Sequence, residues 1–214
     1  MVVSAPEHRS RALLVAISGI DGAGKRHVTA QVAASLEKRG VRVAALSVDP
    51  WLRLPHERFD PASPAHHFYE RAIRFDEMFE TLVLPLRDRR SVRVEAGAVE
   101  ETSTEYRRRL WQFDDVDVIL LEGIYLLKAS LRRHYDLSAW LDCSFETALE
   151  RAVARAQEGL APDETVGAYR SIFFPAQEIH FARDEPRGSA DVVLSNDDSG
   201  RLPAGVTGAV LAAS

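Results

Sequence analysis

The chain has 214 residues, 46% hydrophobic and 28% charged, a balance that supports one apolar core and excludes a disordered chain. Its 27 basic and 32 acidic residues leave a net charge of −5, which gives no general attraction to nucleic acid or an anionic membrane, so any polyanion must bind at a local site. The single cysteine, Cys143, excludes an intramolecular disulfide and a multi-thiolate metal centre, and the first residues, broken by Pro6, Glu7 and His8, lack the apolar stretch of a signal peptide; a cytoplasmic protein with no membrane span is expected.

In chain order, residues 1–10 read as a flexible N-terminus and 11–196 as one domain. Ala12 to Ser18 is a continuous apolar run ending at glycine, the pattern of a strand buried on both faces of a parallel sheet. After a glycine-rich turn, Val28, Val32, Ala33 and Leu36 recur at helical spacing until Lys38, Arg39 and Gly40, and Val41 to Ser47 reads as a second strand. A long insert, about 52–113, holds a helix from Ala65 to Leu86 and short extended pieces at Ser91–Val94 and Leu110–Phe113. Further buried strands are expected at Val116–Leu121, Leu137–Leu141 and Asp191–Leu194. Helical patterns cover Phe145 to Glu158 and Thr165 to Phe181, with about 146–170 forming a lid, and 197–214 reads as a loose tail. Alternating strands and helices predict a three-layer α/β/α sandwich around a mostly parallel sheet.

Between the first strand and its helix stands Gly19-Ile20-Asp21-Gly22-Ala23-Gly24-Lys25, which fits G-x-x-x-x-G-K. Glycines let backbone N–H groups converge on phosphate oxygens, the helix N-terminus adds its dipole, and Lys25 reaches the outer phosphates. The pattern predicts a P-loop NTPase fold binding ATP or GTP through Gly19, Asp21, Gly22, Ala23, Gly24, Lys25, Arg26 and His27. The residue after the lysine normally offers a hydroxyl to Mg²⁺, and here it is Arg26. Thr29 is nearly a helical turn further on and points elsewhere. Either Arg26 replaces part of the metal's charge, or catalysis is impaired.

Catalysis in P-loop enzymes is mostly positioning and charge neutralisation, so carboxylates are expected at the C-terminal ends of neighbouring strands. Asp49 follows the second strand in Val48-Asp49-Pro50-Trp51, and Glu122 follows the Val116 strand in Leu121-Glu122-Gly123-Ile124. With these segments, about residues 12 to 196 resemble the uridine kinase and phosphoribulokinase family, whose fold is nucleoside kinase-like. The resemblance implies that Asp49 takes the proton from an acceptor hydroxyl, that Glu122 orients a hydrated Mg²⁺ with Asp49 nearby, and that a lid helix supplies arginines. Arg151 and Arg155, four apart, share a helix face and would close over the transferring group.

On the acceptor side the candidates are Trp51, Asp60, Phe68, Tyr69 and Tyr106, with Trp111 and the triplet Arg107–Arg109 as further pocket or anion contacts. Uridine kinases read their base with aromatic and histidine side chains where this chain has Glu95-Ala96-Gly97-Ala98, which puts uridine itself in doubt. His56, His66 and His67 have no supporting metal-ligand spacing. The expectation is a small-molecule kinase, with a weakened nucleotide-binding module as the rival reading and a switch GTPase last, since no N-K-x-D segment is present. The oligomeric state is open, a homo-oligomer included.

Overall fold

The computed structural model describes residues 10–100, 103–156 and 160–197. The expected flexible N-terminus and loose tail lie outside these apart from Ser10 and Asp197, as does Glu158. The strands are β1 (Leu13–Gly19), β2 (Val43–Ser47), β3 (Val92–Ala98), β4 (Arg107–Phe113), β5 (Val118–Gly123), β6 (Leu137–Asp142) and β7 (Val192–Ser195). The helices are α1 (Lys25–Glu37), α2 (Pro55–Arg58), α3 (Pro64–Arg71), α4 (Phe75–Met78), α5 (Leu84–Arg89), α6 (Phe145–Arg155), α7 (Pro162–Ala168), α8 (Phe174–Asp184) and α9 (Pro186–Ser189).

Five strands pair in parallel in the order β2-β5-β1-β6-β7. Every residue of β1 and β5 is buried, which is why both read as unbroken apolar runs: helices cover both faces of these strands, and no position faces water. The register puts Ile17 and Ser47 on either side of Glu122. The C-terminal ends of β1, β2 and β5 therefore meet at one edge, where the chain leaves the sheet into the phosphate loop, a short turn at Asp49–Trp51, and the 123–127 connection.

The insert departs from its expected single helix. The chain breaks between α3 and α4, where Ile73 bridges Leu52 and Arg53 N–H donates to the Ala72 carbonyl at 2.8 Å. Residues 72–74 close the insert back onto the segment following β2, a nonlocal pairing that helical periodicity does not report. The two extended pieces are longer than expected and form the antiparallel β3–β4 ribbon.

Two long helical runs contain a π-turn just before a proline, at Phe79–Val83 before Pro85 and at Tyr169–Phe173 before Pro175. Leu84 N–H bonds the Phe79 carbonyl and Phe174 N–H bonds that of Tyr169. The wider turn lets the helix pass a ring that would clash with the preceding turn. The expected Thr165–Phe181 helix is thus continuous in path, running from Pro162 to Asp184. None of the described helices is long and apolar enough to cross a membrane.

Candidate active site

The phosphate loop requires its glycines. Gly22 and Gly24 have φ of +79° and +87°, the left-handed region that side chains disfavour. A Cβ on Gly22 would lie 2.4 Å from the Ala148 carbonyl oxygen, and one on Gly24 would lie 2.7 Å from Asn196 Nδ2. Asn196 Nδ2 donates to the Ala23 carbonyl at 2.7 Å and pins the loop to the end of β7; nothing in the sequence pattern singled Asn196 out. Lys25 is buried and its Nζ donates to the Ile20 carbonyl at 2.8 Å, which keeps the ammonium folded over the loop.

Arg26 closes the other side of this turn. Its Nη2 donates to Asp49 Oδ2 at 2.6 Å, and its Nε lies 4.0 Å from Glu122 Oε1. One guanidinium thus links the two carboxylates, Asp49 and Glu122. The Arg26 and Asp49 side chains are 68% and 48% exposed, whereas Glu122 is buried. Burial pushes the Glu122 carboxyl above the ordinary carboxylate range, with Lys25 and the Ser47 hydroxyl offsetting part of the effect. Thr29 is buried and does not line the cleft, so it offers no hydroxyl in place of the missing one.

A second cluster joins the loop to the lid. Asp21 accepts from the Tyr169 hydroxyl and lies 3.6 Å from Arg155 Nη2. Burial opposes ionisation of Asp21, yet Lys25, Arg155 and the Tyr169 hydroxyl together hold its carboxyl below the ordinary range. Arg151 and Arg155 do not face the same partner. Arg155 lines the cleft, while Arg151 turns to the end of β7 and donates to the Asn196 carbonyl at 2.7 Å. Their shared face meets two different partners because α6 crosses the end of the phosphate loop.

The loop opens into a cleft of about 1180 Å³ that runs from Lys25 and Asp49 past the β4 ribbon to α8. Of the expected acceptor residues, Asp49 and Phe68 line it. Trp51 instead belongs to the core, 1% exposed and stacked on Trp111 at 5.1 Å between centroids, since the β3–β4 ribbon needs an apolar anchor to the sheet. Tyr69 is buried with its hydroxyl on Asp184. Tyr106 reaches away to Glu57, with the Arg74 guanidinium 4.5 Å from its ring centroid. Asp60 borders a separate polar hollow with Ser63, His66 and His67. Among the described residues no group of His, Cys, Asp or Glu is arranged to hold a metal ion.

Of the arginine triplet, Arg109 lines the cleft beside Trp111 and Phe113 on one face of β4, Arg108 points to the opposite face and pairs with Glu95, and Arg107, at the start of the strand, pairs with Glu105. Leu160, the π-turn residues Ile172 and Phe173, and Gln177 of α8 also line the cleft; none was singled out by the sequence pattern.

Comparison with known proteins gives two kinds of match. The family model of the methylmalonyl-CoA mutase-associated GTPase MeaB matches residues 2–53, which is well under half of the chain. Among solved structures the chain is similar to a "possible uridine kinase" from Bacillus stearothermophilus, with TM-score 0.69, 18% identity, and coverage of 86% of this chain and 89% of that one. It is also similar to phosphoribulokinase from Rhodobacter spheroides, with TM-score 0.60, 14% identity, and coverage of 87% and 71%. D-glycerate 3-kinase from Cryptococcus neoformans var. grubii matches with TM-score 0.59, 11% identity, and coverage of 92% and 91%. At these identities the likeness is one of fold and names no acceptor.

Proposed function

We propose, on the premise that this chain has the fold of the uridine kinase and phosphoribulokinase group of P-loop kinases, that it transfers the γ-phosphate of ATP to the hydroxyl of a small molecule. The observation that carries the reading is the half-exposed carboxylate of Asp49, next to the phosphate loop and at the mouth of a cleft with room for a second molecule. A nucleotide switch needs neither a base nor a second chamber.

In this reading Lys25 leaves the Ile20 carbonyl for the outer phosphates, and Arg155 approaches them from the lid. Asp49 accepts the acceptor's hydroxyl proton as that oxygen bonds the γ-phosphorus, and the bond from γ-phosphorus to the bridging oxygen breaks to release ADP. The proton ends on the Asp49 carboxylate. For Mg²⁺ the donor set is two carboxylates, with no hydroxyl on the residue after the lysine, which fits an ion that would be held through its water shell by Glu122 and Asp49. When bound, the ion would neutralise phosphate charge. The chain's own contribution is Arg26, a cation already within reach of the same carboxylates.

A second reading, a nucleotide-binding module with weak transfer, draws on the same Arg26–Asp49 pair, which engages the base. The MeaB match to residues 2–53 keeps GTP open as the nucleotide. Nucleotide binding and ADP or GDP release, measured with ATP and with GTP over a panel of nucleosides, hydroxy amides and sugar phosphates, test the proposal. Release that no alcohol stimulates defeats it.

A further inference from the structure

One wall of the cleft carries three aromatic rings on three separate elements. Phe68 of α3 lies 5.5 Å from Phe59, just beyond α2, and 5.0 Å from Phe173 at the start of α8; Phe59 and Phe173 are 6.4 Å apart between centroids. One helical turn after Phe173, on the same side of α8, comes Gln177. It lines the cleft, is 1% exposed, and its Oε1 meets no hydrogen-bond donor. A buried amide oxygen without a partner costs stability, and leucine or methionine would fill the same space without that cost. A half-turn about the last side-chain torsion exchanges the oxygen and the amide nitrogen, so a carboxamide at this place can meet either a donor or an acceptor.

We infer that Gln177 is the specificity-determining residue of the acceptor pocket, holding a hydrogen-bonding edge, N–H or C=O, carried on the planar or apolar body of the alcohol. The inference rests on the kinase reading and narrows it: an acceptor of this chemistry fits the aromatic walls and satisfies the amide, and a compact sugar phosphate does neither. Asp49, which lines the same cleft, then meets the hydroxyl.

The test compares the full-length protein with Gln177→Met and Gln177→Leu, two apolar variants of which at least one should pack well. The assays are thermal melting, ligand-induced melting shifts with nucleosides, hydroxy amides and sugar phosphates, and steady-state ADP release. The expected result is a melting temperature about 2–4 °C higher in the variant, because an unpaired buried amide oxygen is removed. The KM for the acceptor should rise about tenfold or more, with the KM for ATP unchanged. The inference is overturned if the acceptor KM stays within twofold, if the ATP KM rises in parallel with it, or if sugar phosphates alone are bound and phosphorylated. The two readings fail separately. If an alcohol binds without being phosphorylated and loses that binding in Gln177→Met, transfer is refuted and the recognition site stands; if no alcohol in the panel binds or reacts, both fall.

Discussion

Replacing Arg26 by serine should convert the way this protein holds nucleotide. The Arg26–Asp49 pair spans 2.6 Å between side chains 68% and 48% exposed, and exposed ion pairs contribute about 0.2–1 kcal/mol. A charge-assisted hydrogen bond to phosphate is worth about 1.5–3 kcal/mol, so the guanidinium leaves Asp49 for a phosphate oxygen at a net gain and releases the base as it does so. ATP affinity of the wild type should therefore fall less than about tenfold when Mg²⁺ is removed, 1.4 kcal/mol or less. In Arg26→Ser the guanidinium is gone and a hydroxyl stands where the motif offers one to the metal. The variant should bind ATP about 10–100-fold more weakly in EDTA and regain most of that with Mg²⁺, while its melting temperature moves little. Calorimetric titration of ATP into both proteins, with Mg²⁺ and with EDTA, reads this directly. A wild type already strongly dependent on Mg²⁺, with Arg26→Ser indistinguishable from it, refutes the reasoning: Arg26 would then stay on Asp49 when nucleotide binds.

Lys25→Ala should lower turnover by at least about 10²-fold, the cost of losing one preorganised charge partner of the phosphates; unchanged ATP binding and turnover would remove the phosphate-loop assignment. Asp49→Asn keeps shape and nucleotide binding but loses the base, and kcat should fall about 10²–10⁴-fold with ATP affinity retained. A few-fold loss would make Asp49 structural. Stability should fall on acidification in two steps. Burial lowers His180 from its ordinary 6.5. Burial alone would raise Asp184, but the Tyr69 hydroxyl, Ala129 N–H and His180 hold it below its ordinary 3.8. Both folded values lie below the unfolded ones, so the unfolded chain binds more protons and stability is lost as pH falls below about 6.5 and again below about 3.8. Urea midpoints should be lower at pH 5 than at pH 7, with the difference reduced in His180→Gln; an unreduced difference assigns the step to other histidines.

How much of this was legible in the sequence follows from how local each signal is. The central strands β1 and β5 are buried on both faces, so their composition alone marks them. The phosphate loop was legible for the same reason: its glycines, lysine and flanking strand and helix lie within one short segment. The break at 72–74 was not, because it is made by Leu52 pairing with Ile73 across the insert. Likewise Trp51 looked available to an acceptor until β4 brought Trp111 against it, and the triplet Arg107–Arg109 read as one basic block until β4 turned alternate members apart. Asn196 and Tyr169 reach the phosphate loop from far along the chain, and Gln177 enters the cleft only because α8 docks beside α3; no short motif encodes such contacts. The division has a functional consequence. In the proposed reading the phosphate-binding motif is written in one local segment, whereas the acceptor pocket draws on α3, β4, α8 and the residues next to them. A scaffold built that way can retain the phosphate chemistry while its acceptor changes, so the acceptor must be sought in the pocket's own side chains, Gln177 first among them.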